Sequence, residues 1–181
     1  MTPAGKTTGL VIVHTGNGKG KTTAALGLAL RAVGHDFRVI MIQFVKGTWH
    51  TGELDSAKRL APHLEILTAG RGFYKILDDQ LPPEEHRQAA REGLALAREK
   101  MKSGDYKMVI LDEVNVAVSL GLLSLDDLLA LVDEKPPDLH LVLTGRGAVP
   151  DLITKADLVT EMVLVKHPYD SGVDAQKGVD F

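Results

Sequence analysis

Six short apolar runs punctuate the chain, and most are separated by stretches whose apolar positions return at helical spacing. Leu10–Val13, Arg38–Phe44, Leu64–Thr68, Lys107–Leu111, Leu139–Leu143 and Val159–Val165 read as strands. Thr22–Val33 repeats Ala, Leu and Gly at helical spacing and stops at Gly34, which suits a C-cap. Asp55–Leu60 and Pro150–Lys155 read as short helices. Pro82-Pro83-Glu84-Glu85 places prolines and acids where a first helical turn favours them, predicting a helix to about Lys102 that ends near Gly104. Ser124 suits the N-cap of a helix reaching Val132, with Asp126 and Asp127 in its first turn. Residues 1–8 form a short polar lead-in, Gly70–Asp79 a glycine- and aromatic-bearing loop, and Lys166–Phe181 a polar tail.

Strands alternating with helices predict an α/β fold with a mostly parallel sheet and helices on both faces. Residues 9–181 are expected to form a single domain, since 181 residues suffice for one substantial core. Ligands of such sheets sit at the C-terminal strand edge. Gly16–Thr22, Gln43, Glu113 and Thr144–Arg146 all fall at that edge.

The first strand carries the most informative chemistry. It runs into Gly16-Asn17-Gly18-Lys19-Gly20, and Lys21-Thr22-Thr23 opens the helix that follows. Strand, glycine loop and helix is the setting in which a phosphate-loop match acquires structural meaning, and it narrows the fold to a P-loop NTPase-like (RecA-like) domain. The glycines let several N–H groups turn toward an anion, and the helix N-terminus adds its positive end. Lys21 is placed to reach the distal phosphates, and the Thr22 hydroxyl to sit on Mg²⁺. Thr15 stands where the common pattern has glycine, and Lys19 is a second cation inside the loop. The loop predicts binding of a nucleoside triphosphate.

Composition excludes several other classes. A chain 44% hydrophobic and 25% charged is an ordinary globular composition. A formal net charge of -3 argues against a nucleic-acid surface built on overall positive charge. The absence of cysteine removes disulfides, thiolate metal sites and cysteine nucleophiles. No apolar run approaches the ~20 residues of a membrane span, and the N-terminus lacks a signal-peptide pattern, so a cytoplasmic location is expected.

The other strand ends supply candidate partners for the loop. Met108–Leu111 ends in Asp112-Glu113, where phosphate-loop proteins place an acid that holds Mg²⁺ directly or through water. Glu113 has a second possible role, polarising an attacking water as in hydrolytic ATPases. Arg146, after Thr144-Gly145, suits either the triphosphate or ribose, or a plain surface turn. Trp49, Phe73 and Tyr74 lie in loops, placed either against a flat ligand or as loop anchors packed on the sheet. The seven histidines show no metal-type spacing.

The chain resembles, nearly end to end, the phosphate-loop type of ATP:cob(I)alamin (corrinoid) adenosyltransferases. The likeness rests on His14–Thr23, Gln43-Phe44-Val45-Lys46-Gly47, Leu111-Asp112-Glu113, Thr144-Gly145-Arg146 and the tail from Lys166-His167-Pro168 through Ala175–Phe181. Thr15 is normal in that family's loop. The resemblance implies that Co(I) of a reduced corrinoid attacks the 5′ carbon of ATP and displaces triphosphate, in adenosylcobalamin biosynthesis or salvage. It implies ATP binding by Gly16, Asn17, Gly18, Lys19, Gly20, Lys21, Thr22, Thr23 and Arg146, with Lys21 and Glu113 catalytic. Mg²⁺ (or Mn²⁺) would be held by Thr22, Asp112 and Glu113, and the corrinoid by Phe73, Trp49 and Gln176. A reducing flavoprotein and a homodimer are the implied partners, with neither nucleic acid nor membrane. Two departures stand out. Lys75 occupies the position where better-known members carry a tryptophan after Gly72-Phe73, and the few residues before Gly9 give no expectation of the N-terminal arm that some members fold over the site. The alternative from another class is an ATP-hydrolysing ATPase with Glu113 as base.

Overall fold

The computed structural model describes residues 8–45, 50–70 and 81–181. Its centre is a six-stranded sheet, β1 (Val11–Thr15), β2 (Val39–Gln43), β3 (Leu64–Thr68), β4 (Met108–Asp112), β5 (His140–Thr144) and β6 (Leu158–Glu161). The spatial order is β3-β2-β4-β5-β1-β6, and every pairing is parallel. Parallel strands need helical crossovers, and those crossovers cover the sheet on both sides. α1 (Lys21–Val33) and α2 (Gly52–Arg59) lie on one face, where Ala25, Ala29, Ala32 and Ala57 pack with Ile12, Met41, Ile110 and Val142. α3 (Pro83–Lys102), α4 (Val114–Ser119), α5 (Leu125–Asp133) and α6 (Pro150–Lys155) serve the other face, packing Leu94, Ala117, Leu131 and Leu152 with Val13, Ile42 and Leu111. The central strands are buried on both faces, which is why they read as continuous apolar runs and not as alternating ones.

Most elements match the sequence pattern within a residue or two. Three do not. α2 starts at Gly52, three residues before the predicted Asp55. α4 was not foreseen: Val114–Ser119 is β-branched and lacks a helical signature, but Val114 and Ala117 are fully buried and hold it to the core. The last strand ends at Glu161 and not at Val165. Beyond it the chain leaves the sheet and runs beside the glycine loop, where Met162 N donates to Thr15 O at 2.8 Å and Gly18 N donates to Met162 O at 2.6 Å. A 3₁₀ turn, Pro168–Ser171, follows in the tail.

Candidate active site

The site grows from the C-terminal row of the sheet. Register aligns Thr68, Gln43, Asp112, Thr144, His14 and Thr160 across the six strands, two residues beyond an apolar row on the α1 face. Polarity changes there because the strands end and the helix that follows β1 brings its N-terminus over this edge.

Asp112 is the hub of the row. Its carboxylate is fully buried; Oδ1 accepts from the Thr22 and Thr144 hydroxyls, both at 2.8 Å. Oδ2 faces the amide of buried Gln43, whose Nε2 also donates to Glu53 Oε1 at 3.3 Å. Thr144 is bifunctional: its oxygen gives a proton to Asp112 and accepts the Glu113 N–H at 2.9 Å. Glu113 itself sits in the left-handed region, φ 61°, between β4 and α4. A non-glycine residue held there costs of order 1–3 kcal/mol and marks a place worth functional attention.

The loop wraps this hub. Gly20 precedes α1 with φ 115°, the helix has neither a side-chain cap nor an acid in its first turn, and its leading N–H groups are aimed at the cleft. Gly16 and Gly18 have another constraint besides phosphate approach. A Cβ on Gly16 would meet Met162 O at 2.4 Å, and one on Gly18 would meet Val163 O at 2.6 Å. The segment after β6 therefore uses these glycines as its bed.

Lys21 is buried, with its ammonium donating to Gly18 O at 2.7 Å. Burial lowers its pKa; Glu113 and Asp112 oppose that shift, whereas Arg146 and Lys19 add to it. Two acids and three cations thus share one small volume. Arg146 follows Gly145, whose φ of 127° and close approach to Asn115 and Val116 fit only glycine. Asn115 Nδ2 donates to Gly145 O at 3.3 Å, tying α4 to the turn that carries Arg146.

These groups open into a cleft of about 630 Å³. Asn17, Lys19, Gly20, Lys21, Thr22 and Thr23 form its floor, with Glu113 and Arg146 beside them. The first turn of α2, with Glu53, makes one wall, and the tail makes the other through His167 and Gly178–Phe181. A volume of that size suits a nucleotide. The sequence reading did not single out Glu53, Thr144 as the partner of Asp112, or Asp180. A hydroxyl at a strand end was the available signal for Thr144; Glu53 fell before the predicted helix start at Asp55, and Asp180 entered only as part of the tail that carries the family likeness.

The remaining sequence candidates stand apart. Gln176, expected at the corrinoid, is exposed, donates to Asp174 O at 2.8 Å and does not line the cleft. Trp49 and Phe73 lie outside the described residues.

The donor set has a definite chemical preference. Among the described residues no three His, Cys, Asp or Glu side chains gather as a self-sufficient metal cage. A threonine hydroxyl beside Asp112 and Glu113, under a phosphate loop, instead suits a hard cation that keeps water and substrate phosphates among its ligands. Mg²⁺ fits that description.

Comparison with known proteins identifies the family. The model of the family described as ATP:corrinoid adenosyltransferase BtuR/CobO/CobP matches residues 7–181. A corrinoid adenosyltransferase of Pseudomonas aeruginosa is 41% identical over 173 residues, covering 96% of this chain and 84% of that protein. One from Escherichia coli is 41% identical over 174 residues, covering 96% and 86%. The Salmonella typhimurium corrinoid adenosyltransferase CobA is 38% identical with the same coverage, 96% and 86%. Among solved structures, the flagellar accessory protein FlaH from Methanocaldococcus jannaschii shares the fold with a TM-score of 0.56 at 13% identity, covering 88% of this chain and 73% of that one.

Proposed function

Because the chain belongs to the ATP:corrinoid adenosyltransferase family, we propose that its cleft holds the triphosphate of ATP as a leaving group while a reduced corrinoid attacks the ribose. The observation that carries this reading is the convergence of Lys21, Thr22, Glu113 and Arg146 on one cleft walled by the tail, with buried Asp112 hydrogen-bonded to Thr22 beneath it. In the reaction, the Co(I) electron pair forms the Co–C5′ bond and the C5′–O bond breaks. Both of its electrons pass to the triphosphate, and cobalt becomes formally Co(III). Cobalt is the nucleophile, so no side chain has to take up a proton.

The protein's task is then position and charge. The loop N–H groups, Lys19, Lys21 and Arg146 bind the polyphosphate and stabilise the negative charge that grows on its departing oxygen. Thr22, Asp112 and Glu113 would hold Mg²⁺, which when bound supplies further charge neutralisation at the phosphates. Thr144 and Gln43 keep the buried Asp112 carboxylate oriented. Fixing C5′ in line with cobalt supplies the rest through orientation. Trp49 and Phe73 are assigned to the corrinoid on family resemblance, as are a reducing flavoprotein donor, a homodimer and a cytoplasmic setting. No described helix is long and apolar enough to cross a membrane.

Product analysis tests the reading. With Mg²⁺, ATP and chemically reduced cobalamin, adenosylcobalamin and intact triphosphate should appear in equal amounts. Rapid formation of ADP and phosphate without corrinoid would instead assign Glu113 as the base of an ATPase.

A further inference from the structure

Lys19, the second cation of the phosphate loop, is already paired: its ammonium meets Asp180 Oδ1 at 2.6 Å. Asp180 is delivered by a small turn that closes on itself. The N–H groups of Val179 and Asp180 donate to Gln176 O at 3.1 and 2.8 Å, and Gly178 N donates to Phe181 O at 2.7 Å. The other carboxylate oxygen accepts Gln176 N at 2.7 Å. That backbone bond, then Lys19, holds the Asp180 carboxyl below its ordinary range, so it is charged at neutral pH. The acid is therefore a fixed anion, and Gly178–Phe181 around it line the cleft assigned to the polyphosphate.

We propose that Asp180 is an internal competitor for the triphosphate, pairing with Lys19 in place of a phosphate oxygen, and that polyphosphate binding exchanges one anion for the other and displaces the 176–181 turn. The inference rests on the reading of the loop as the triphosphate site. A carboxylate and a polyphosphate on the same ammonium repel each other, while the loop N–H groups, Lys21 and Arg146 offer the polyphosphate partners that Asp180 lacks. The Lys19 and Asp180 side chains are 42% and 23% exposed, so the pair is weak enough to exchange. Its use lies at the end of the cycle. A leaving group gripped by several cations dissociates slowly, and product release often limits turnover. A carboxylate waiting to reclaim Lys19 loosens that grip.

The test is titration of Mg²⁺ and inorganic triphosphate into the full chain, wild type against Asp180→Asn, followed by calorimetry. The amide preserves shape and can still accept the Gln176 N–H, so the turn persists. Asp180→Asn should bind triphosphate about two- to fivefold more tightly at low salt, as expected for loss of a half-exposed pair. The gain should shrink at high ionic strength and vanish in a Lys19→Met background. Hydrogen exchange of amides 176–181 in the wild type should speed up on adding triphosphate. Equal or weaker binding by Asp180→Asn, or greater protection of those amides, would overturn the proposal and leave the loop reading standing. A wild-type chain that bound no triphosphate would overturn both.

Discussion

The Thr22 hydroxyl donates to Asp112 Oδ1 at 2.8 Å, joining the first turn of α1 to the end of β4 across ninety positions of sequence. This bond aligns the two groups that a phosphate-bound cation would share, and Thr144 steadies the same oxygen from the next strand. Asp112→Asn keeps the volume but removes the charge and turns one acceptor into a donor facing Thr22 or Gln43. Turnover is expected to fall by at least about tenfold, the scale of losing a metal-site partner. The Mg²⁺ concentration giving half-maximal rate should rise. A Mg²⁺ titration of initial rates in the folded variant checks this, and an unchanged midpoint would remove Asp112 from the metal site.

The frame was legible in the sequence because burial on both faces writes central strands as plain apolar runs, and because Gly34 and Ser124 punctuate their helices. Ser124 does accept the Asp127 N–H at 3.1 Å, as an N-cap should. Lys21, Thr22, Asp112, Glu113 and Arg146 were legible as strand-end chemistry. What escaped depends on neighbours across strands. Thr144 matters because β5 lies between β1 and β4, and strand order is not written locally. Val163–Val165 looked like a continued strand, but Met162 pairs with Thr15 and Gly18 and draws the chain along the loop. Asp180 reaches Lys19 only through the folded tail.

One buried and one half-buried histidine, His14 and His140, predict a pH dependence of stability. Burial lowers the pKa of His14, and burial together with Lys135 lowers that of His140. His140 Nδ1 also accepts the Leu10 N–H at 3.2 Å, a bond only the unprotonated nitrogen can make. Both groups take up a proton more readily in the unfolded chain. Their contribution is therefore complete above the ordinary value of 6.5 and is lost as pH falls from there toward the lowered folded values. Urea unfolding midpoints should drop between pH 7.5 and 5.5, and the drop should be smaller in His140→Asn. A midpoint that stays flat over that interval would contradict the assignment.

Two glycines, one in the phosphate loop and one within α1, should respond in opposite directions. A Cβ on Gly18 would lie 2.6 Å from Val163 O and 2.7 Å from Met162 O, both backbone atoms that cannot step aside cheaply. Gly18→Ala is expected to cost about 1–3 kcal/mol, the usual penalty of overpacking, and to weaken ATP binding by displacing the loop. Gly27 lies within α1, exposed, with nothing within 4 Å of its would-be Cβ. Gly27→Ala should stabilise by about 0.5–1 kcal/mol through helix propensity alone and leave turnover unchanged. Thermal unfolding of the two variants checks the signs, and a destabilising Gly27→Ala would show that the α1 surface is covered by something.

Lys21 carries the sharpest kinetic expectation. Its ammonium now rests on Gly18 O, within the field of Glu113, Arg146, Asp112 and Lys19. Triphosphate already carries its charge in bound ATP, so part of the Lys21 contact serves binding. The part that serves catalysis meets charge developing on the oxygen that parts from C5′, an interaction fully made only in the transition state. Lys21→Ala should therefore lower kcat by about 10²–10³-fold, the scale of removing one preorganised electrostatic contact, with a smaller rise in KM for ATP. The fold should survive, because the change removes a single hydrogen bond, to the Gly18 carbonyl three residues away within the loop. Steady-state rates at saturating ATP and reduced cobalamin give both parameters. Near wild-type kcat in a folded Lys21→Ala protein would mean that the loop does not hold the leaving group.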